Sequence, residues 1–262
     1  MSRRRASDAS PPVRTPSNPA GLRDLPFALP EVSPEQKRRA RRLAKALEEH
    51  YPEAECELRY TSAHELLIAT ILSAQTTDVN VNKATPALFK AFPTPEAYAA
   101  STPDDIEPYV RSLGFFRNKA RSVHESMVQI VEQFDGKVPR TMDELLSLRG
   151  VARKTANVVL GNAFGINDGF VVDTHIERLS KRLGLAPEDA TVQQVERYLC
   201  ALLPRDRWMK LSHQFIWHGR RACQARRKGC GEHRVCKGFG QCCELRVSAK
   251  GSGGGDGRSA SR

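Results

Sequence analysis

No run of eighteen apolar residues occurs anywhere in the 262-residue chain, so no segment reads as a helix able to span a bilayer. The basic N-terminus is not followed by an apolar core segment, which argues against a secretory signal. Asp8 and Asp24 count against an organellar transit peptide, although Arg and Ser are abundant around them. No internal repeat is evident. The only strand-like fragment, Phe170-Val171-Val172, is too short to build a sheet. Acidic residues are in the minority, 30 Asp and Glu against 41 Lys and Arg, for a net charge of +11.

The excess of positive charge is concentrated. Between Arg205 and Arg246 there are eleven Lys and Arg residues, opposed only by Asp206, Glu232 and Glu244. A stretch of that kind is either a solvated basic face or a surface that binds a polyanion. Cysteines are concentrated in the same place, with five of the seven between Cys223 and Cys243. An odd, clustered set without an export signal points to metal ligation and not to a disulfide framework. The spacing is Cys223-x6-Cys230-x5-Cys236-x5-Cys242, with Cys243 adjacent. Four thiolates so placed can enclose a 4Fe-4S cluster or a single tetrahedral zinc, and spacing alone leaves both open. His233 lies inside this run and reads as a surface residue unless a cysteine is displaced from the ligand set, with metal ligation as the open alternative.

Residues 1–32 are rich in Pro, Ser and Arg without periodicity and read as a disordered basic tail; residues 247–262 read as a flexible Gly/Ser tail. Between them the signals are helical. Ser33-Pro34 opens a basic helix running to about Tyr51. Ser62-Ala63-His64-Glu65 and Thr141-Met142-Asp143-Glu144 have the pattern of capping boxes. Leu66–Leu72 is apolar nearly all round, which predicts a buried central helix. Asp78, Thr94-Pro95 and Thr102-Pro103 read as further starts. Helical periodicity returns at Lys119–Phe134, Val192–Leu203 and Arg207–Arg221. The expected fold class is all-α, made of short helices and short loops.

One segment carries chemistry. Leu148-Arg149-Gly150-Val151-Ala152-Arg153-Lys154 reads as a glycine turn feeding a helix. Gly150 tolerates positive φ, and the helix that follows presents unpaired N–H groups that a phosphate oxygen can accept from. The bland alternative is an ordinary helical corner with a basic rim. Lys154 falls in the first turn of that helix. An amine is nucleophilic only when neutral, and its free pKa is about 10.4. Desolvation, nearby cations and a helix N-terminus favour the neutral form, and Arg153 and the dipole supply two of these. Asp173, in Val172-Asp173-Thr174-His175, can stabilise positive charge on a sugar or move protons for the amine, and it can equally cap the helix after it. A phosphate cradle, an amine and a carboxylate so close in sequence suggest base-excision chemistry on DNA.

With these residues in view, the chain resembles bacterial endonuclease III, a helix-hairpin-helix DNA glycosylase with abasic-site lyase activity. The resemblance covers roughly residues 33–246. It rests on Glu65–Ala69, Leu72-Ser73-Ala74-Gln75-Thr76-Thr77-Asp78-Val79, Val81–Thr85, the hairpin, Lys154–Leu160, Val172–Ile176 and the cysteine loop. It implies a two-lobed helix-hairpin-helix DNA glycosylase fold with a C-terminal metal-cluster loop: residues 56–166 as a helical lobe holding the hairpin, and residues 33–55 with 167–246 as the cluster lobe. By position Lys154 resembles the family's Schiff-base lysine and Asp173 its catalytic aspartate. Gln75 resembles the residue that fills the gap left by a flipped nucleotide, and Phe115 falls where the family places an apolar wedge. Arg149, Gly150, Ala152, Arg153 and His175 complete the expected DNA contacts, and Cys223, Cys230, Cys236 and Cys242 the expected ligands of a 4Fe-4S cluster, with zinc as the alternative. The implied substrate is double-stranded DNA carrying damaged pyrimidines or abasic sites. The implied reaction is flipping, attack of the amine on C1′, loss of the base and β-elimination 3′ to the lesion. A cytoplasmic, nucleoid-associated monomer without a membrane partner is expected.

Three departures stand out. Family hairpins usually read Leu-Pro-Gly-Val-Gly, whereas Arg149 and Ala152 replace Pro and the second Gly here; the loss of a preset φ and an added methyl bear on DNA affinity. The usual interval between the middle cysteines is two residues and is five here. The wedge region Gly114-Phe115-Phe116-Arg117-Asn118 is bulkier and more basic than usual. An adenine-mismatch glycosylase is disfavoured: that family lacks the lysine, carries a glutamate in the central helix and has a large C-terminal domain, whereas here Lys154 is present, Ile68–Gln75 contains no Glu and only a tail follows the cysteines. The rival from another class is a non-catalytic DNA-binding or redox-sensing iron-sulfur protein.

Overall fold

Capping chemistry sets most of the helix starts. In the computed structural model, which describes residues 25–226 and 233–241, α1 (Pro34–His50) opens on a reciprocal capping box between Ser33 and Gln36. Thr102 and Asp105 do the same for α5 (Pro103–Val110), and Thr191 and Gln194 for α10 (Val192–Leu202). The two boxes expected from sequence form only in part. Ser62 caps α2 (Ala63–Leu72), but Glu65 turns to the Thr61 N–H and hydroxyl at 2.5 and 2.8 Å. At α7 (Met142–Ser147) the Glu144 carboxylate accepts the Thr141 hydroxyl at 2.6 Å and not its backbone N–H. In both cases a threonine hydroxyl takes the carboxylate that a full box would give to the N-cap N–H.

The remaining helices are α3 (Asp78–Ala91), α4 (Pro95–Ala99), α6 (Phe116–Phe134), α8 (Arg153–Phe164), α9 (Thr174–Arg182), α11 (Trp208–Arg221, entered by a 3-10 turn at Arg205–Arg207) and α12 (Arg234–Phe239). No strand occurs among the described residues, and none of their helices is long and apolar enough to cross a membrane.

Two apolar cores result. One is built from α2 to α8: Leu66–Ala69 of α2 have no exposed surface and face Val81, Ile106, Val123, Met127 and Val159. The other joins α1 to α9, α10, α11 and α12 around Leu43, Leu47, Leu179, Leu199, Trp208 and Phe215. The chain passes between them at Phe170-Val171-Val172, whose extended backbone sends alternate side chains to opposite sides. Val171 enters the first core, while Phe170 and Val172 enter the second. The fragment therefore looked strand-like because it faces two cores, not because it pairs in a sheet.

Candidate active site and metal centre

The turn between α7 and α8 is fixed from below by α6. Ser126 Oγ donates to the Arg149 carbonyl at 2.6 Å, and Gln129 accepts the Arg149 N–H at 3.2 Å while donating to the Ser147 carbonyl. Gly150 has φ +76°, and a Cβ there would lie 2.8 Å from Ser122 Cβ, so conformation and space both demand glycine. Ala152 sits at φ −95°, ψ 169°, an ordinary extended N-cap position. The methyl there carries no backbone strain, and α8 begins with no side-chain cap, so its first N–H groups remain available to an anion.

Lys154, the second residue of α8, is exposed. It lines a cleft of about 820 Å³ together with Asp173, Thr174, His175, Ser73–Val79, Glu57 and Arg220. Asp173 is the N-cap of α9, its Oδ1 accepting the Ile176 N–H at 2.8 Å. The cap and the candidate catalytic group are thus one residue, and Oδ2 is left for the cleft. His175 is half-buried, with Nδ1 3.3 Å from Arg178. Burial holds its pKa below the ordinary value; Asp173 opposes that shift, and Arg178 and Arg220 reinforce it.

Gln75 and Phe115 stand at positive φ, +53° and +58°, which is costly for side-chain-bearing residues. Both are exposed, Phe115 by 68%. The third such residue, Asp135 at φ +50°, ends α6, whereas Gln75 lines the cleft and Phe115 opens α6. Lys119 joins the two segments. The residue is buried and its amine donates to Thr76 Oγ1 at 2.6 Å, tying the loop of Gln75 to the helix that Phe115 opens. Burial lowers its pKa. Nothing in the sequence distinguished this lysine from its neighbours.

Arg153 departs from expectation. Its Nε lies 3.0 and 2.9 Å from the two oxygens of Glu196, its Nη2 donates to the Asp168 carbonyl, and Phe27 stacks on it at 5.1 Å. The guanidinium therefore binds α8 to α10 instead of adding charge beside Lys154. Arg149 is held in part by Glu125 at 3.0 Å. The basic stretch is corrected in the same way. Arg205 pairs with Asp168, Arg207 with Glu48, and Arg220 with Asp78 at 2.8 Å and with Glu57. Lys210 donates to the Pro52 and Ala54 carbonyls, and Arg221 lies 3.6 Å from the Trp217 ring. Arg205, Arg207 and Arg220 are thus half-buried and spent on ion pairs within the protein. Arg220 was missed as a site residue because its partners are more than a hundred positions away in sequence. Exposed cations persist among the described residues at Lys210, Arg221, Arg226, Arg234 and Lys237.

Of the expected metal ligands, Cys230 and Cys242 lie outside the described residues, as does Cys243. Cys223, just past α11, and Cys236 in α12 are buried to 2% and 3% exposure. Arg182 Nη1 donates to Cys223 Sγ, and His218 Nε2 lies 3.3 Å from Cys236 Sγ. Two buried sulfurs, one accepting from Arg182 and the other beside a histidine nitrogen, suit thiolates bound to a metal. His233 is not the surface residue expected: it caps α12 and turns inward, and His218, His233 and Cys236 bring ligand atoms within 4.8 Å of one another.

Residues 68–205 match the HhH-GPD superfamily of base excision DNA repair proteins. The chain is 50% identical over 197 residues to endonuclease III of Synechocystis sp., spanning 75% of this chain and 90% of that protein. It is 41% identical over 185 residues to endonuclease III of Escherichia coli K12, spanning 71% and 87%. A non-covalent endonuclease III–DNA complex superposes with a TM-score of 0.76 at 38% identity, covering 83% of this chain and all of that one. A trapped endonuclease III–DNA covalent intermediate gives 0.74 at 39%, covering 80% and 96%. The chain belongs to the endonuclease III family of the HhH-GPD superfamily.

Proposed function

We propose that this base-excision DNA glycosylase and abasic-site lyase acts as a monomer, at the nucleoid, on duplex DNA carrying oxidised pyrimidines or abasic sites. Lys154 is the attacking amine and Asp173 the carboxylate. The observation that carries the reading is that both residues line one cleft beside the uncapped start of α8. A nucleotide must leave the stack for its C1′ to be reached. Gln75, which lines the cleft, and Phe115, exposed at the start of α6, are the groups to occupy the gap. Asp173 is fixed in direction by its bond to the Ile176 N–H, so it opposes positive charge on the sugar without reorganising. The imine formed on Lys154 acidifies the 2′ hydrogen, and elimination cuts the strand on the 3′ side.

A 4Fe-4S cluster fits the buried sulfurs of Cys223 and Cys236, and it would hold α12 and the chain after α11 in a fixed shape. Zinc is the alternative occupant.

Borohydride reduction during incubation with duplexes containing thymine glycol or an abasic site tests the activity. A covalent protein–DNA adduct is expected on both and not on undamaged duplex. Absence of an adduct on every lesion would favour the non-catalytic binder. Salt dependence tests the surface. With so many of the basic residues paired internally, we expect about five phosphate contacts and a slope of log K against log salt near −4.5. That corresponds to a loss of about five hundredfold in affinity between 50 and 200 mM salt. A slope near −10 would return the paired arginines to the interface, and a flat one would remove phosphate from the account.

A further inference from the structure

We propose that the outer face of α1 is a second duplex-binding surface, separate from the cleft, that holds another segment of DNA by its phosphates. The choice of occupant rests on the DNA-binding reading above. Lys37, Arg38, Arg41, Arg42 and Lys45 of α1 are all exposed. At about 3.6 residues per turn they share one face, and the buried Ala40, Leu43, Ala44 and Leu47 take the opposite one. Among the described residues, only Lys45 of the five has a carboxylate in reach, Glu49 at 3.9 Å. Glu48 is taken by Arg207 at 2.8 Å, which leaves Glu35 and Glu49 against five cations. Arg39 shows what a structural arginine does in the same run: it is half-buried and donates to the Leu183 and Phe239 carbonyls.

The stripe lies away from the cleft. Arg39 meets the chain at Leu183, past the end of α9, whereas Asp173 caps the start of α9 at the cleft, about 14 Å back along that helix. Among the described residues, none of α1 lines the cleft. The inner face of α1 packs on α10, α11 and α12, so the charged face is turned outward from the lobe that carries Asp173 and Arg220.

Two features favour DNA over a protein partner. The exposed large apolar residues, Leu29, Val79, Phe115, Leu146 and Val192, all lie outside α1, and a specific protein contact needs such anchors at its centre. The stripe also matches a polyanion in scale. Lys37 to Lys45 rise about 12 Å, a length over which duplex DNA carries about seven phosphate charges. Binding of that kind needs charge and reach but no base contact. A chain that holds two segments at once can pass between them without leaving DNA as it searches for a lesion.

The full chain is mixed at low salt, about 50 mM, with an excess of two undamaged duplexes of about 20 base pairs, one bearing a donor fluorophore and the other an acceptor. Energy transfer is expected in the wild type, from a species that sedimentation shows to hold one chain and two duplexes. It is expected to fall at least about tenfold when Lys37→Gln, Arg38→Gln, Arg41→Gln, Arg42→Gln and Lys45→Gln are combined, glutamine being a good helix former. Affinity of that variant for limiting abasic-site duplex, and its borohydride trapping, should stay within about twofold of the wild type, because the sites are apart. No transfer in the wild type, undiminished transfer in the variant, a bridged species with two chains, or trapping lost in step with bridging overturns the proposal. Bridging does not need Lys154, so a wild type that bridges but is not trapped supports the second surface and counts against the enzymatic reading alone.

Discussion

Lys154→Ala abolishes the borohydride-trapped adduct on abasic-site duplex and brings strand cleavage to background, while binding to the same duplex changes little. Among the described residues that line the cleft, Lys154 alone carries an amine able to form an imine with C1′, and the side chain is exposed on α8, so truncation leaves no cavity and no orphaned partner. Asp173→Asn is the informative companion. Asparagine caps a helix about as well as aspartate, and the bond to the Ile176 N–H needs only the oxygen that the amide retains. The fold is therefore kept, and the loss falls on charge stabilisation and proton movement, about 10²- to 10⁴-fold in rate. Asp173→Ala removes both functions and should also lower the melting temperature. Equal rates for Asp173→Asn and the wild type, in single-turnover cleavage, would leave Asp173 with its cap alone.

The parts of this site legible in sequence were those written in local grammar. A serine or threonine before an apolar run marked helix starts, Gly150 marked a turn at positive φ, and Asp173 before Thr174 marked a cap. The all-apolar stretch Leu66–Leu72 could go nowhere but the centre. What sequence could not give were the directions of long polar side chains. Arg153 reads identically whether it meets phosphate or Glu196, 43 residues on. The same holds for Arg220 between Glu57 and Asp78, and for Lys119 under Thr76. Such contacts have no period, because they are set by which helices pack together. Counting charge over Arg205–Arg246 consequently overstated the surface available to DNA. The inward turn of His233 escaped for a related reason: its partners Tyr51, His50 and His218 belong to α11 and to the end of α1.

Glu196→Ala is the substitution expected to cost most in stability. The carboxylate is 7% exposed and takes both oxygens to Arg153 Nε, with Oε1 also accepting the Asn157 amide at 3.2 Å. Gly169 passes so close that a Cβ there would overlap this group, which shows how tightly the network is packed. Removing one partner of a largely buried ion pair leaves the other charge uncompensated, at a cost of about 3–5 kcal/mol. For a domain of this size that is a fall of about 6–20 °C in melting temperature. A consequence for activity follows from position. Arg153 begins α8 and Lys154 is its neighbour, so a helix start no longer tied to α10 presents the amine less accurately. Trapping should slow in Glu196→Ala even well below its melting point, where Glu196→Gln, which keeps an acceptor for Arg153 and the packing around Gly169, should fall in between. If Glu196→Ala melted within a degree or two of the wild type, the Arg153 side chain would have to be free to turn toward the cleft, and its place among the DNA contacts would be restored.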